Sequence, residues 1–299
     1  MARAYNTRVH AAWPVRRLLV VILSVWSCWA PTSALAKPKA EVQVVASAVV
    51  AVERILAGKP RVVAYGEYHQ TETTRAIPSA LRRFLDELLP QAVAAGSHLV
   101  VETWITEGRC GKTEEKVTAG VEDMTQRPAA TESEVVQLIR RGKEQKATPH
   151  ILKLSCAEYA SLQPASGEGV DAVKLLQLVN DKLRTQIVEL LAPKGPEAIK
   201  QIVIYGGALH NDLYPRPELA TFTFGRDIRR AIGKGYVEID LYVPEYIVGD
   251  KGITSEAWYH RYLKLRKPGQ ATLVTRGPGS YIIVFPEAPE AKEATEPAP

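Results

Sequence analysis

The segment Arg61-Val62-Val63-Ala64-Tyr65-Gly66-Glu67-Tyr68-His69 decides the fold. An apolar, β-branched run that stops at a glycine and ends in polar side chains reads as a buried strand delivering its last residues to a sheet edge. From about Pro78 the pattern changes. Leu81, Phe84, Leu85 and Leu88 recur at i, i+3, i+4 and i+7, which predicts a helix that Pro90 kinks or ends.

The alternation continues outward from there. Strands are predicted at His98 to Glu102, His150 to Ser155, Gln201 to Tyr205, Thr221 to Phe224 and Gly235 to Val243. A helix is expected near Glu132 to Lys146. A longer one over Val170 to Leu191 would bury Val173, Leu176, Val179 or Leu183, Ile187 and Leu190. Residues Ala271 to Arg276 and Ser280 to Phe285 flank a Gly-Pro-Gly turn and pair as a hairpin. The polar stretch Thr106 to Thr131 shows no period and reads as an excursion or lid-like loop. The fold class is therefore α/β: a mainly parallel sheet flanked by helices, with a C-terminal antiparallel hairpin at the edge. One domain is expected over residues 37–285, followed by a Pro/Glu/Ala-rich tail, 286–299, whose composition predicts disorder.

The N-terminus reads as a targeting segment. Arg3, Arg8, Arg16 and Arg17 precede an apolar run from Leu18 to Ala30, and Ala34-Leu35-Ala36 offers small residues for cleavage after Ala36. A run of about 13 residues is shorter than the roughly 20 a permanent membrane helix needs. The expectation is export, to the periplasm or the exterior, with membrane attachment only through lipidation at Cys28. Removing residues 1–36 takes away four of the 38 basic residues and none of the 33 acidic ones, leaving 34 against 33. With no clustered basic face, nucleic acid is excluded as a partner class, and a small-molecule ligand or a peptide is favoured. Cys110 and Cys156 remain. In an oxidising compartment a disulfide between them is the leading reading, against two separate buried thiols or a reactive thiol.

In open α/β sheets the ligand crevice lies beyond the carboxyl ends of the strands. This sorts the histidines. His98 and His150 open their strands and belong at the far edge, and His260 lies in an aromatic helical stretch, whereas His69 and His210 each close a strand after a glycine-containing turn. Glu67 and Glu102 join them by the same rule. Buried glutamates at strand ends cost several kcal/mol unless paired, hydrogen-bonded or metal-bound, so the four are a candidate site. Two chemistries stay open. His69, Glu102 and His210 could hold a divalent metal, or a histidine could act as general base on water with a glutamate orienting it. Tyr68, Arg75, Asn211 and Tyr214 are candidate substrate-binding neighbours.

The segments Val62 to His69, Leu99-Val100-Val101-Glu102 and Val203 to His210 together resemble the superfamily joining the ChaN haem-binding uptake proteins, the Tiki proteases and the erythromycin esterases. The likeness spans Arg61 to His210 and extends toward the final hairpin. It implies a shared pocket in which Glu67 and His69 match a Gly-Glu-x-His turn, Glu102 a strand-end glutamate and His210 a later histidine. The Glu67-x-His69 spacing is closest to the ChaN branch. The family's chemistries diverge: metal-independent His/Glu esterases, metal-dependent proteases and haem binders. The expected function is an extracytoplasmic hydrolase acting on an ester, lactone or amide. The alternatives are a haem or iron-compound binder with Tyr68, Tyr214 or a histidine as axial ligand, and an inactive scaffold.

Overall fold

The strand Val62–Glu67 lies near the middle of an eight-stranded sheet and is buried along its whole length. The computed structural model describes residues 40–167, 169–193, 195 and 199–288. The targeting segment, its Cys28 and the tail from 289 onward lie outside the described residues. The strands are β1 (Glu41–Val45), β2 (Val62–Glu67), β3 (His98–Glu107), β4 (Thr148–Ser155), β5 (Ile202–Gly207), β6 (Tyr236–Tyr242), β7 (Ala271–Gly277) and β8 (Ser280–Val284), in spatial order β1-β7-β8-β6-β2-β5-β3-β4. Every pair from β8 to β4 is parallel. The expected hairpin of β7 and β8 forms the antiparallel edge, and β1 adds to it outermost.

The order of β2 and β5 sets the site. The chain leaving β2 forms helix Ala80–Arg83, a π turn at Phe84–Leu88 and a last turn Leu89–Ala92. Leu81, Phe84, Leu85 and Leu88 are all buried on one face of the sheet with Val63, Tyr65 and Tyr205. Pro90 does not end the helix. The π turn shifts the bonding just ahead of it, so the missing N–H falls in the first turn of the segment that follows, where none is needed. The chain leaving β5 goes to the opposite face, where Leu213, Phe224 and Ile228 join Val62, Ala64 and Ile204. Two neighbouring parallel strands whose connections depart to opposite faces open a crevice between their carboxyl ends.

Three expectations are corrected. Residues 106–131 are not a loop: Lys112–Thr125 is a helix. It buries only Val117, so it carries no periodic apolar stripe to read. Residues 221–224 are not a strand, because Pro217–Phe222 forms a 3-10 helix and the Thr223 hydroxyl donates to the carbonyls of His210 and Asp212. The long helix, Ala172–Leu191, buries Leu175, Val179, Asn180, Leu183, Ile187 and Leu190, leaving Val173 exposed and Leu176 half-buried. The predicted disulfide is present. Cys110–Cys156 joins the start of the excursion after β3 to the helix following β4. Closing a 46-residue separation is worth about 4 kcal/mol in the chain-entropy view.

Candidate functional site

Glu67, His69 and His210 reach the crevice at the ends of β2 and β5, and Glu102, expected to close its strand, reaches it from a bulge in the middle of β3, which runs on to Glu107; the four form two pairs. In the first, His69 Nδ1 lies 2.7 Å from Glu67 Oε1, and the Tyr205 hydroxyl donates to Glu67 Oε2 at 2.7 Å. Tyr205 is held in turn by Phe84, whose ring packs between Tyr205 and Tyr65 with centroids 4.8 and 4.9 Å apart. Burial would push the Glu67 carboxyl up. The hydrogen bonds from His69 and the Tyr205 hydroxyl and the charge of Arg127 outweigh it and hold the group below its ordinary value.

The second pair depends on an irregularity in β3. Pairing with β4 shifts register between Val101 and Trp104, so Glu102 and Thr103 bulge out of the ladder. Pairing with β5 ends at Val101 opposite Tyr205. The bulge aims Glu102 across the end of β5, where its Oε2 accepts the Gly207 N–H at 2.7 Å. Only glycine fits at 206 and 207. A Cβ on Gly206 would stand 2.7 Å from the Glu102 Cβ, and one on Gly207 would stand 2.9 Å from His69 Nε2 and 3.7 Å from Glu102 Oε2. The space above Gly207 is thus bounded by both pairs. His210, 3% exposed on the short helix Ala208–Asn211, donates from Nδ1 to the Phe222 carbonyl at 2.8 Å. That bond turns Nε2 toward Glu102 Oε1, 3.8 Å away.

The remaining candidates divide. Tyr68 alternates away from Glu67 and His69, donating to Asp250 Oδ2 at 2.9 Å, and burial followed by that bond pushes its hydroxyl up to about 12. Arg75 is exposed, pairs with Glu72, and lines a groove of about 680 Å³ that includes Gln70 but not Glu67 or His69. Asn211 is buried against the Ala64 carbonyl and Asp240, and Tyr214 donates to the Pro278 carbonyl. Neither of these two is placed beside His69 or Glu102. His98 and His150 meet each other at the opposite end of the sheet, 2.7 Å apart, and His260 is exposed.

Arg127 was not foreseen. It follows Gln126, which ends helix Lys112–Thr125 in the left-handed region with φ 49°, and precedes Pro128, which favours an extended conformation for it. Its Nη2 lies 2.5 Å from His69 Nε2 and 2.8 Å from His69 Nδ1. With Nδ1–H donating to Glu67, Nε2 is the acceptor for this guanidinium. A cation before a proline in an aperiodic stretch was the only sequence signal.

The donor set also bears on a cofactor. Among the described residues no three His, Cys, Asp or Glu side chains gather in a group that could hold a metal ion. His69 is engaged at both nitrogens, by Glu67 and Arg127. The Tyr68 and Tyr214 hydroxyls are likewise committed elsewhere. No protein-family model, curated protein or solved structure matches the chain.

Proposed function

We propose that the protein is a hydrolase of carboxylic esters, lactones or amides that works through histidine and glutamate. The observation that carries this reading is the Glu102–His210 pair. A water donating one hydrogen to His210 Nε2 and the other to Glu102 Oε1 would present its lone pairs to a carbonyl above Gly207. His210 takes a proton from this water as its oxygen bonds to the carbonyl carbon. The tetrahedral intermediate then collapses, and the departing oxygen or nitrogen takes that proton from the imidazolium. Glu102 stabilises the imidazolium, and the Phe222 carbonyl keeps Nδ1 as the donor throughout. No step needs a metal. The Cys110–Cys156 bond supports placing this activity outside the cytosol, in line with the targeting segment.

The test is a panel of aryl esters, lactones and peptide amides with the purified mature protein. His210→Gln and Glu102→Gln should each lower kcat by about 100-fold or more while the far-UV circular dichroism is unchanged. Full activity in both variants would sink the reading.

A further inference from the structure

Arg127 is placed as a receptor rather than a strut. Among the described residues no carboxylate lies within ion-pair distance of it, and its hydrogen-bonded partner is the imidazole of His69. Its Nε is buried without an acceptor. A guanidinium left with a buried, unsatisfied N–H carries a desolvation cost that a ligand's oxygen would remove. Arg127 is also aimed by strain, since a non-glycine residue such as Gln126 is disfavoured in the left-handed region. The groove of about 680 Å³ opens next along the chain from this point, lined by Gln70 and Pro128, the chain neighbours of His69 and Arg127.

We propose that Arg127 binds an oxyanion of the substrate, a carboxylate or a phosphate, and that this contact draws the guanidinium off His69 Nε2. Both anions offer two oxygens to the guanidinium fork, which an imidazole nitrogen cannot match. The other charges near the path leave the assignment intact. Arg75 is paired with Glu72 and Arg82 with Asp86. Glu134 accepts from Ser79, and burial first, with Glu67 nearby, raises its pKa. Glu67 is taken up by His69 and Tyr205. In the unliganded protein His69 Nε2 is therefore masked, and an uncharged ester leaves it so. The inference rests on the hydrolase reading only for what His69 does once released. Anion capture is measurable without turnover.

The experiment uses the full mature chain with ¹⁵N-labelled histidine. The ring nitrogens are followed by NMR while acetate or inorganic phosphate replaces chloride at constant ionic strength. A saturable shift of the His69 Nε2 resonance is expected, with whichever anion acts at lower concentration identifying the substrate's group. Arg127→Gln should weaken the response at least tenfold, and Arg127→Lys should keep it in part. Calorimetry with His69→Gln provides the second arm: the anion should still bind, since Arg127 is untouched. No shift in the wild-type protein, or an equal shift in Arg127→Gln, overturns the inference while leaving the hydrolase reading standing. Anion binding with no hydrolysis of any substrate supports the inference and removes the hydrolase reading.

Discussion

Two polar clusters adjoin where Asp212 follows His210, and the contrast between them separates a site from a scaffold. The first is the crevice of Glu67, His69, Glu102, His210 and Arg127. The second is on β6, where Glu238 and Asp240 point to one face and meet Asp212, Ser280 and Arg276. Arg276 Nη2 bonds Glu238, reaches Asp212 at 2.9 Å and Asp240 at 3.5 Å, and its Nε donates to Ser280 at 3.0 Å. Ser280 and the Leu213 N–H satisfy the rest of Glu238. This arginine is spent on three carboxylates of its own fold. Among the described residues Arg127 has none; its Nη2 contacts an imidazole and its Nε is buried without an acceptor. The second cluster also pins the first, because Asn211 and Asp212 follow His210 directly and fasten its segment to the sheet.

The sharpest way to break this contrast is to replace each arginine by methionine. Arg276→Met strands carboxylates in the sheet and should cost about 3–5 kcal/mol at neutral pH, with the deficit shrinking at pH 5 as the acids protonate. Arg127→Met should cost less than about 1 kcal/mol, since it removes an unsatisfied N–H along with its charge. Urea unfolding of both variants measures the two. Equal losses would make Arg127 a structural residue and erase the distinction.

The two clusters also differed in how far the sequence disclosed them. Glu67, His69 and His210 were visible because strand-end glycines mark where an apolar run stops, and a parallel sheet puts such ends together. Glu102 was visible by position, though the bulge that aims it was not, since a two-residue shift leaves no mark in a run of valines. Arg127 was hidden by distance. Its helix is anchored by a disulfide and one buried valine, so nothing periodic ties it to His69, 58 residues earlier. On β6, Tyr-Val-Glu-Ile-Asp-Leu-Tyr alternates like a strand with one wet face, but all seven residues are buried. The cation that allows this comes from Arg276, on a strand two places away in the sheet. Thr221 to Phe224 misled for the converse reason: β-branched and aromatic residues suit strands, yet here they close the loop over His210.

Stability against pH sharpens the comparison further, because the clusters pull in opposite directions. Glu238 is pushed up from 4.5 to about 7, by burial first and the Asp212 charge, against the pull of Arg276 and Ser280. A carboxyl whose folded pKa is raised contributes stability below its unfolded value and loses it as pH climbs through the folded one. Wild-type stability relative to Glu238→Gln should therefore fall between pH 4.5 and 7. Glu67 is lowered, so its contribution is present above its unfolded value and lost as pH falls below it. Wild type relative to Glu67→Gln should lose its advantage on acidification, below about pH 4.5. His98 and His150 are lowered by burial and fade below pH 6.5, so only these differences between paired proteins isolate each cluster. Parallel pH slopes for the two variants would dissolve the contrast.

The smallest expected effect concerns Tyr205, the one side chain of β5 that reaches into the first pair from the core. Tyr205→Phe keeps the ring against Phe84 and removes only the hydroxyl that donates to Glu67. The loss should be about 1–2 kcal/mol, as for a hydrogen bond to a charged group. Glu67 would lose one of the influences that hold its carboxyl down, so its titration should move upward. ¹³C-carboxyl NMR of Glu67 measures that shift, and chemical denaturation measures the stability. If the titration stayed fixed while stability fell, Tyr205 would serve packing alone. The support of the Glu67 carboxylate would then rest on His69 and Arg127, and a substrate anion that withdrew Arg127 would change the Glu67–His69 pair all the more.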